Sequence, residues 1–466
     1  MNSTCLRVLQ AVLLLLGLAG RSQAGLAQQD AGHYSGGLKQ LLQLAEANYP
    51  LLKAKQLDVQ AARKGVVAAH HSLLPSLDAS YQADYATYNN ITGMAYPALL
   101  VPISGPPAST NRYDPVFGSA ASLLASWQPV TFGQRQAQVN LAKSGLRFAG
   151  ADERNERFQL QVRVIAAYLD AITATELVRV QLNNLVRTQT NLEAVQTLVA
   201  SGIRPGVDTA LFHAELSRAN MELQASRQQQ DQTRILLAQL LATDSSWLVS
   251  DSFFFSRLPQ ASYGNAGGDS TVHPLLGLYD AQAGTVAARR LALARTARPT
   301  LGVWSTAYAR GSGVAYNGTV MAAEGLAWQR YNYGIGLQFS VPLLQPLRIR
   351  PQLQQQELLL QSARERREEI AWQLRKQQES ADSAVVHSLA AARESPQLLA
   401  SARFSYKALQ SRYQAGLATY AEFIQGQYVL VKAETDDRLA YLAVWKAWLY
   451  KTSMAGNLDL FLNQLN

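Results

Sequence analysis

The chain has 466 residues, 48% hydrophobic and 16% charged, with a formal net charge of +9. This composition excludes a disordered chain and allows a large core, while charge below the ~25% usual in soluble domains points to surfaces not all turned to bulk water. Lys and Arg are interspersed with carboxylates and are not clustered with aromatics, so the positive balance reads as a solvated basic surface and no nucleic-acid partner is expected.

At the N-terminus, Arg7, the apolar run VLQAVLLLLGLAG and the small-residue site SQA ending at Ala24 predict a secretory signal peptide over residues 1–24, with Ala27 an equally good cut. The apolar run is short of the ~20 residues of a spanning helix. The sole cysteine, Cys5, falls inside this leader. No disulfide, thiolate nucleophile or cysteine metal ligand is then expected in the mature chain. No later segment offers ~18 uninterrupted apolar residues, so no transmembrane helix is expected.

Self-similarity organises the rest of the chain. The stretch Tyr49 to Leu77 aligns without gaps to His273 to Leu301, with Pro50 and Pro75 matching Pro274 and Pro299. Each copy predicts a proline-led helix running into a strand. In SLDASYQADYATY, Leu77, Ala79, Tyr81, Ala83 and Tyr85 alternate with polar residues; in YNYGIGLQFSV, Tyr331, Tyr333, Ile335, Leu337, Phe339 and Val341 do the same. That period of two predicts amphipathic strands, with Tyr and Trp near their ends as in the aromatic girdles of membrane strands; a water-facing sheet of a soluble domain would alternate in the same way. Two further strands, around GSAASLLASWQ and TLGVWSTAYARG, alternate less cleanly. Between the first two strands, NNITGMAYPALLVPISGPPASTNRYDPVFG is rich in Pro and Gly and predicts a long tip loop.

After each strand pair comes a very long helix. No proline occurs from Gly133 to Ser201, a stretch long enough for ~100 Å of helix at ~1.5 Å per residue. Within it, Phe158, Val162, Ile165, Leu169 and Ile172 follow a 4-3-4-3 spacing, and Val178, Leu185, Leu192 and Val199 recur every seven residues. The slip between the two sets resembles a stutter, and a helix this long needs partners along its length. The second long helix is expected from about Leu347 to Tyr413, kinked or broken at Pro396.

Both long helices end in the same kind of turn. In LVASGIRPGVDTALF, Gly202 is followed by Pro205 and Asp208; in YQAGLATYAEFI, Gly416 is followed by Thr419 and Glu422. Gly supplies the left-handed conformation of a helix end, and Asp208 and Glu422 stand where a carboxylate can serve the start of a returning helix, Val207–Ala242 or Tyr420–Ser453. The domain plan is therefore a leader 1–24, a first repeat 39–243, a connector 244–272, a second repeat 273–453 and a C-terminal tail 454–466.

Four strands cannot close a membrane barrel, which needs at least about eight, and open edges in lipid leave backbone groups unpaired at several kcal/mol each. The chain must oligomerise, and two, three or four copies all satisfy this physics. The signal peptide, the duplicated plan, the paired glycine–acidic tips and the stretches RYQAGLATYAEFIQGQYVL and AYLAVWKAWLYKTSMAGNL resemble the TolC-like outer-membrane efflux protein family. The resemblance covers nearly all the mature chain. It implies a mainly α fold with a small membrane β-barrel portion: a homotrimer sharing a twelve-stranded barrel that continues into a periplasmic α-helical barrel. It further implies a location in the outer membrane of a Gram-negative-type bacterium. The partners would be outer-membrane lipid, a periplasmic adaptor protein, and an inner-membrane pump or ABC-type secretion transporter. Carried onto this sequence, the docking and aperture tips are Gly202, Pro205, Asp208, Gly416, Thr419 and Glu422. One departure is that the Gly-Gly often found after the exit strand is Phe132-Gly133 in one half and Gln345-Pro346 in the other. Arg393 and Glu394 lie nearest to where an aperture-closing ionic network would fall, and read better as a solvated helix face.

His33, His70, His71, His213, His273 and His387 form no HExxH or carboxylate-paired spacing, and no G-x-S-x-G, phosphate loop or dinucleotide fingerprint occurs. No catalytic residue, cofactor or metal is expected. The function expected is passive conduction by the channel of a tripartite efflux or type I secretion system. The rival is a periplasmic adaptor, against which two hairpins and paired strands in each half argue.

Overall fold

A computed structural model describes residues 37–89, 109–243, 251–260, 273–315 and 317–465. The expected leader, residues 90–108 of the first strand loop and most of the connector lie outside the described residues. In chain order the elements are α1 (Leu38–Asn48), α2 (Pro50–His71), β1 (Ser76–Ala86), β2 (Val116–Val130), α3 (Gln134–Ala200) and α4 (Gly206–Leu241). A short α5 (Phe253–Ser256) precedes α6 (Pro274–Arg295), β3 (Thr300–Ser312), β4 (Arg330–Ser340), α7 (Gln345–Gln414), α8 (Tyr420–Met454) and α9 (Asp459–Leu462). The duplication is visible in the helices that open the two halves: α2 and α6 each have 22 residues and a proline in the first turn, where its missing N–H costs nothing.

The long helices have 67 and 70 residues. Pro396 was expected to kink or break the second; it does not break it, for α7 is one helix through both Pro351 and Pro396. A proline at 396 leaves the carbonyl of Ala392 without its helical donor. The Ser395 hydroxyl, 3.4 Å from that carbonyl, donates its one proton to Asp437 of α8 at 2.8 Å and so ties the helix at this point to its neighbour. The junctions into the long helices differ between halves. Phe132 and Gly133 both take positive φ before α3, whereas α7 starts from a right-handed Leu344 with Pro346 in its first turn.

The strands form one antiparallel sheet in the order β1-β2-β3-β4. Pairing places Leu77 beside Ala125, Tyr81 beside Ala121, Ala307 beside Tyr333 and Val303 beside Leu337, all on one face. The opposite face carries Ser80 beside Ser122, with their hydroxyls 2.7 Å apart, and further ranks including Gln82, Tyr308 beside Asn332, and Arg310 beside Arg330. The apolar face has nothing packed on most of it: Tyr333 is 94% exposed, Ile335 77% and Leu337 75%. Each such side chain would gain ~1.5–3 kcal/mol by leaving water.

The core lies instead among the helices. Leu38, Leu41 and Leu42 of α1 pack with Leu160, Ile165 and Leu169 of α3, Phe254 of α5, Trp445 of α8 and Phe461 of α9 in one cluster. The Trp445 indole is fully enclosed, edge-on to Phe254 and Phe461, and donates to the Arg257 carbonyl at 3.0 Å. This girdle of packing fixes the middle of the long helices, so that their far ends project as two hairpins.

Candidate functional site

The far ends of the two hairpins meet, and the residues singled out in the sequence fall there. At the first tip, α3 closes with a Schellman turn: Gly202 has φ +72°, Ile203 N–H donates to the Leu198 carbonyl at 3.0 Å, and Gly202 N–H to Val199 at 3.0 Å. The second tip repeats it, with Gly416 at φ +79°, Leu417 N–H on Arg412 at 2.8 Å and Gly416 N–H on Tyr413 at 3.1 Å. Glycine, which has no Cβ to crowd the backbone, takes this conformation without the strain that other residues bear.

The returning helices start differently. Thr419 is the N-cap of α8 in a complete capping box: its hydroxyl accepts from Glu422 N–H at 3.2 Å, and Glu422 accepts from Thr419 N–H at 2.6 Å. These bonds from Thr419 hold the Glu422 carboxyl below the usual carboxylate range. The N-cap of α4 is Pro205, which has no side-chain acceptor. Asp208, at the position equivalent to Glu422, does not cap. It is buried and accepts the Tyr413 hydroxyl of the other hairpin at 2.6 Å.

That bond is one part of a joint between the tips. Arg204 donates to the carbonyls of Tyr413 and of Ala418, the latter at 2.7 Å, and its guanidinium stands 3.9 Å from the centroid of the Tyr413 ring. The Ala418 carbonyl thus receives a charged donor, and the Tyr413 carbonyl, already bonded by Gly416 N–H, receives a second. Beneath them Phe212 is fully buried among Tyr413, Tyr420 and Phe423. Burial, and then the bond to Asp208, push the Tyr413 hydroxyl well above the usual phenol range. Glu215 accepts from Tyr428 at 2.6 Å and from Tyr420 at 3.4 Å. Burial first, and the Glu215 charge with it, push both phenols up to about 12. All three tyrosines stay neutral donors at physiological pH.

Above the joint the interface between hairpins turns polar. Asn191 of α3 donates to Gln427 of α8 and to Tyr406 of α7, each at 3.0 Å, and Gln427 donates to Thr188 at 2.6 Å. Arg187 and Glu434 form an ion pair at 2.8 Å beside this network. Arg393 and Glu394 are exposed and enter no ion pair among the described residues.

Of the six residues expected at the tips, the structure brings Asp208 into the joint and sets Gly202, Pro205, Gly416, Thr419 and Glu422 around it. Sequence reasoning missed Arg204, Tyr413, Phe212 and Glu215. Arg204 and Tyr413 lie within the quoted turns, but nothing in their spacing told that residues so far apart in the chain would meet. The arrangement holds no nucleophile–base pair; it is a fastening with an ionic and hydrogen-bonded clasp.

Residues 41–243 match the protein-family model described as "Outer membrane efflux protein". No curated protein matches the chain in sequence. Among solved structures, the chain is similar to the outer membrane protein VceC of Vibrio cholerae, at 15% identity and TM-score 0.73 over 90% of this chain and 96% of that one. It is likewise similar to the CmeC outer membrane channel of Campylobacter jejuni, at 14% identity and TM-score 0.71 over 90% and 85% of the two chains. The MtrE outer membrane channel of Neisseria gonorrhoeae, solved in an open state, aligns at 16% identity and TM-score 0.69 over 90% and 89%. The fold, mainly helical with a small antiparallel sheet, is the one these channels have, and the resemblance drawn from the sequence holds.

Proposed function

We propose that this chain, whose residues 41–243 match the outer membrane efflux protein family and whose fold is that of outer-membrane channels, is the outer-membrane channel of a tripartite efflux or type I secretion system. The observation that carries this reading is the sheet. Its four strands present one apolar, exposed face and one polar face, and its outer strands β1 and β4 each have a single partner. Such a sheet is stable in a bilayer only when its edges are paired by further copies and its apolar face meets lipid. Three copies give twelve strands, with Gln82, Tyr308, Asn332 and the arginines Arg310 and Arg330 toward a water-filled lumen.

In this reading the helices, ~100 Å long at ~1.5 Å per residue, extend the conduit into the periplasm. The tips at Gly202, Pro205, Asp208, Gly416, Thr419 and Glu422 stand at its periplasmic aperture and meet the helical hairpins of a periplasmic adaptor, behind which an inner-membrane pump or ABC-type transporter supplies the energy. Conduction itself is passive. The joint through Arg204, Tyr413 and Asp208 holds the two hairpins of one protomer together, and releasing it lets them move apart.

The test is the detergent-corrected mass of the protein extracted from outer membranes. Three chains, stable to dilution, are expected. A soluble monomer would overturn the channel and return the adaptor as the better reading.

A further inference from the structure

We infer that the β3–β4 connection is a clamp at the membrane interface, seating Met321, Leu326 and Trp328 in the outer leaflet around the barrel. The presence of a bilayer rests on the channel reading; the placement of the connection does not. A connection at the open end of a barrel ordinarily projects into water or over the pore. This one folds back over the apolar face. Pairing puts Ser119 and Gly311 side by side on that face, one rank above Ala121 and Ala309. The 3-10 turn Ala322–Leu326 lies directly on them. Ser119 is buried there and donates its hydroxyl to the Gly325 carbonyl at 2.8 Å.

Backbone bonds hold the rest of the connection. Gly313 N–H donates to Phe117 at 2.9 Å, Met321 N–H to Gly313 at 2.8 Å, and Gln329 N–H to Arg310 at 2.9 Å. The approach leaves no room for side chains. A Cβ on Gly325 would stand 1.6 Å from the Phe117 carbonyl oxygen, and one on Gly311 would stand 2.2 Å from that of Ala327. The two glycines clasp the connection to the sheet.

So held, it leaves apolar groups exposed beside the apolar face: Met321 is 43% exposed, Leu326 48% and Trp328 49%. Their height fits a boundary. From Val303 to Gly311 the strand climbs eight residues, ~26 Å at ~3.3 Å each, or ~20 Å along the barrel axis at ~40° tilt. An apolar band is ~25 Å tall, which sets the connection at its outer edge, where an indole has its apolar body in the acyl boundary and its N–H in water. The other face at this height carries Arg310 and Arg330. The connection therefore covers the lipid side and leaves the charged side open.

The experiment places a fluorescent nitrobenzoxadiazole label at Met321→Cys or at Ile335→Cys, each in a Cys5→Ser background, since Cys5 is the sole cysteine. The full chain is inserted into phosphatidylcholine vesicles carrying doxyl groups at shallow or deep acyl positions. Emission from the label at position 321 is expected to fall more with the shallow quencher than with the deep one and to resist aqueous iodide. The label at position 335 should fall with the deep quencher. Iodide quenching at 321 with lipid quenching at 335 overturns the clamp and leaves the channel standing. Iodide quenching at both positions overturns the channel reading. Adding Gly325→Val should transfer the 321 label to iodide without changing 335; a 321 label that stays in lipid overturns the glycine clasp as its cause.

Discussion

The two repeats share their turns and differ in how their helices begin. In the second repeat the side chain at the N-cap does the work: His273 Nδ1 accepts from Leu275 N–H at 3.1 Å to start α6, and Thr419 forms the capping box of α8. In the first repeat the equivalent caps are Tyr49 and Pro205, and neither side chain bonds the helix. Instead the first repeat is held by what it packs on. The Arg163 guanidinium lies 5.7 Å from the Tyr49 ring centroid, and Asp208 and Arg204 both grip the second tip. The geometry is alike in both copies, but the second starts its helices on local side-chain caps, while the tip of the first is held by bonds to the second. The second tip is therefore a template, and the first tip is fastened to it.

The sharpest way to break this comparison is at Tyr413, on which Asp208, Arg204 and Phe212 converge. Tyr413→Ala should cost ~3–5 kcal/mol, as for other buried aromatics, and lower the denaturant midpoint of the detergent-solubilised protein. Phe404→Ala on the exposed face of the same helix should leave it unchanged. An equal loss from both would mean that the joint does not hold the tips.

Next come the turns. Val at Gly202 or at Gly416 must adopt a positive φ at a cost of ~1–3 kcal/mol each, and the cost should be alike because the two turns are alike. Export in cells should fall while the membrane-inserted oligomer persists on unheated gels; loss of that oligomer would refute a role confined to the tips. Thr419→Ala should cost ~1 kcal/mol with Thr419→Ser restoring it, and an unchanged midpoint for the alanine variant would erase the difference between the repeats.

The smallest effect is with pH. Burial lowers the His273 pKa below the ordinary 6.5, against a smaller opposing pull from the Ser453 carbonyl bonded to Nε2 at 3.1 Å. The neutral ring caps α6, so the unfolded chain takes up the proton first. Its contribution is complete above pH 6.5 and is lost as pH falls through the lower folded value. Thermal midpoints should drop from neutral pH into this window, and His273→Gln should flatten that part of the profile. A wild-type profile already flat there would remove His273 as the cause.

Much of the fold was readable because it is local. Period-two alternation marked β1 and β4, and a proline-free stretch from Gly133 to Ser201 marked α3. Gly202 and Gly416 marked the turns, because a left-handed residue at a helix end has a residue-type signature. Pro396 does not break its helix, since the proline rule is also local and says nothing of the packing on α8 that holds this stretch, where Ser395 bonds Asp437. Asp208 misled in the same way: at that spacing a carboxylate suits a helix start, and only the arrival of Tyr413 turns it elsewhere.

By itself, then, the sequence determined the inventory: long helices, amphipathic strands, their duplication and the places where the chain turns back, all set by periodicity and by backbone preferences that act over a few residues. Tertiary structure decided the joint between Arg204, Asp208 and Tyr413, the polar seam around Asn191 and Gln427, and the fold-back of Gly325 onto Ser119. In each of these the partners are distant in the chain, and their bonds depend on the ångström-scale approach of packed elements, which no local preference encodes.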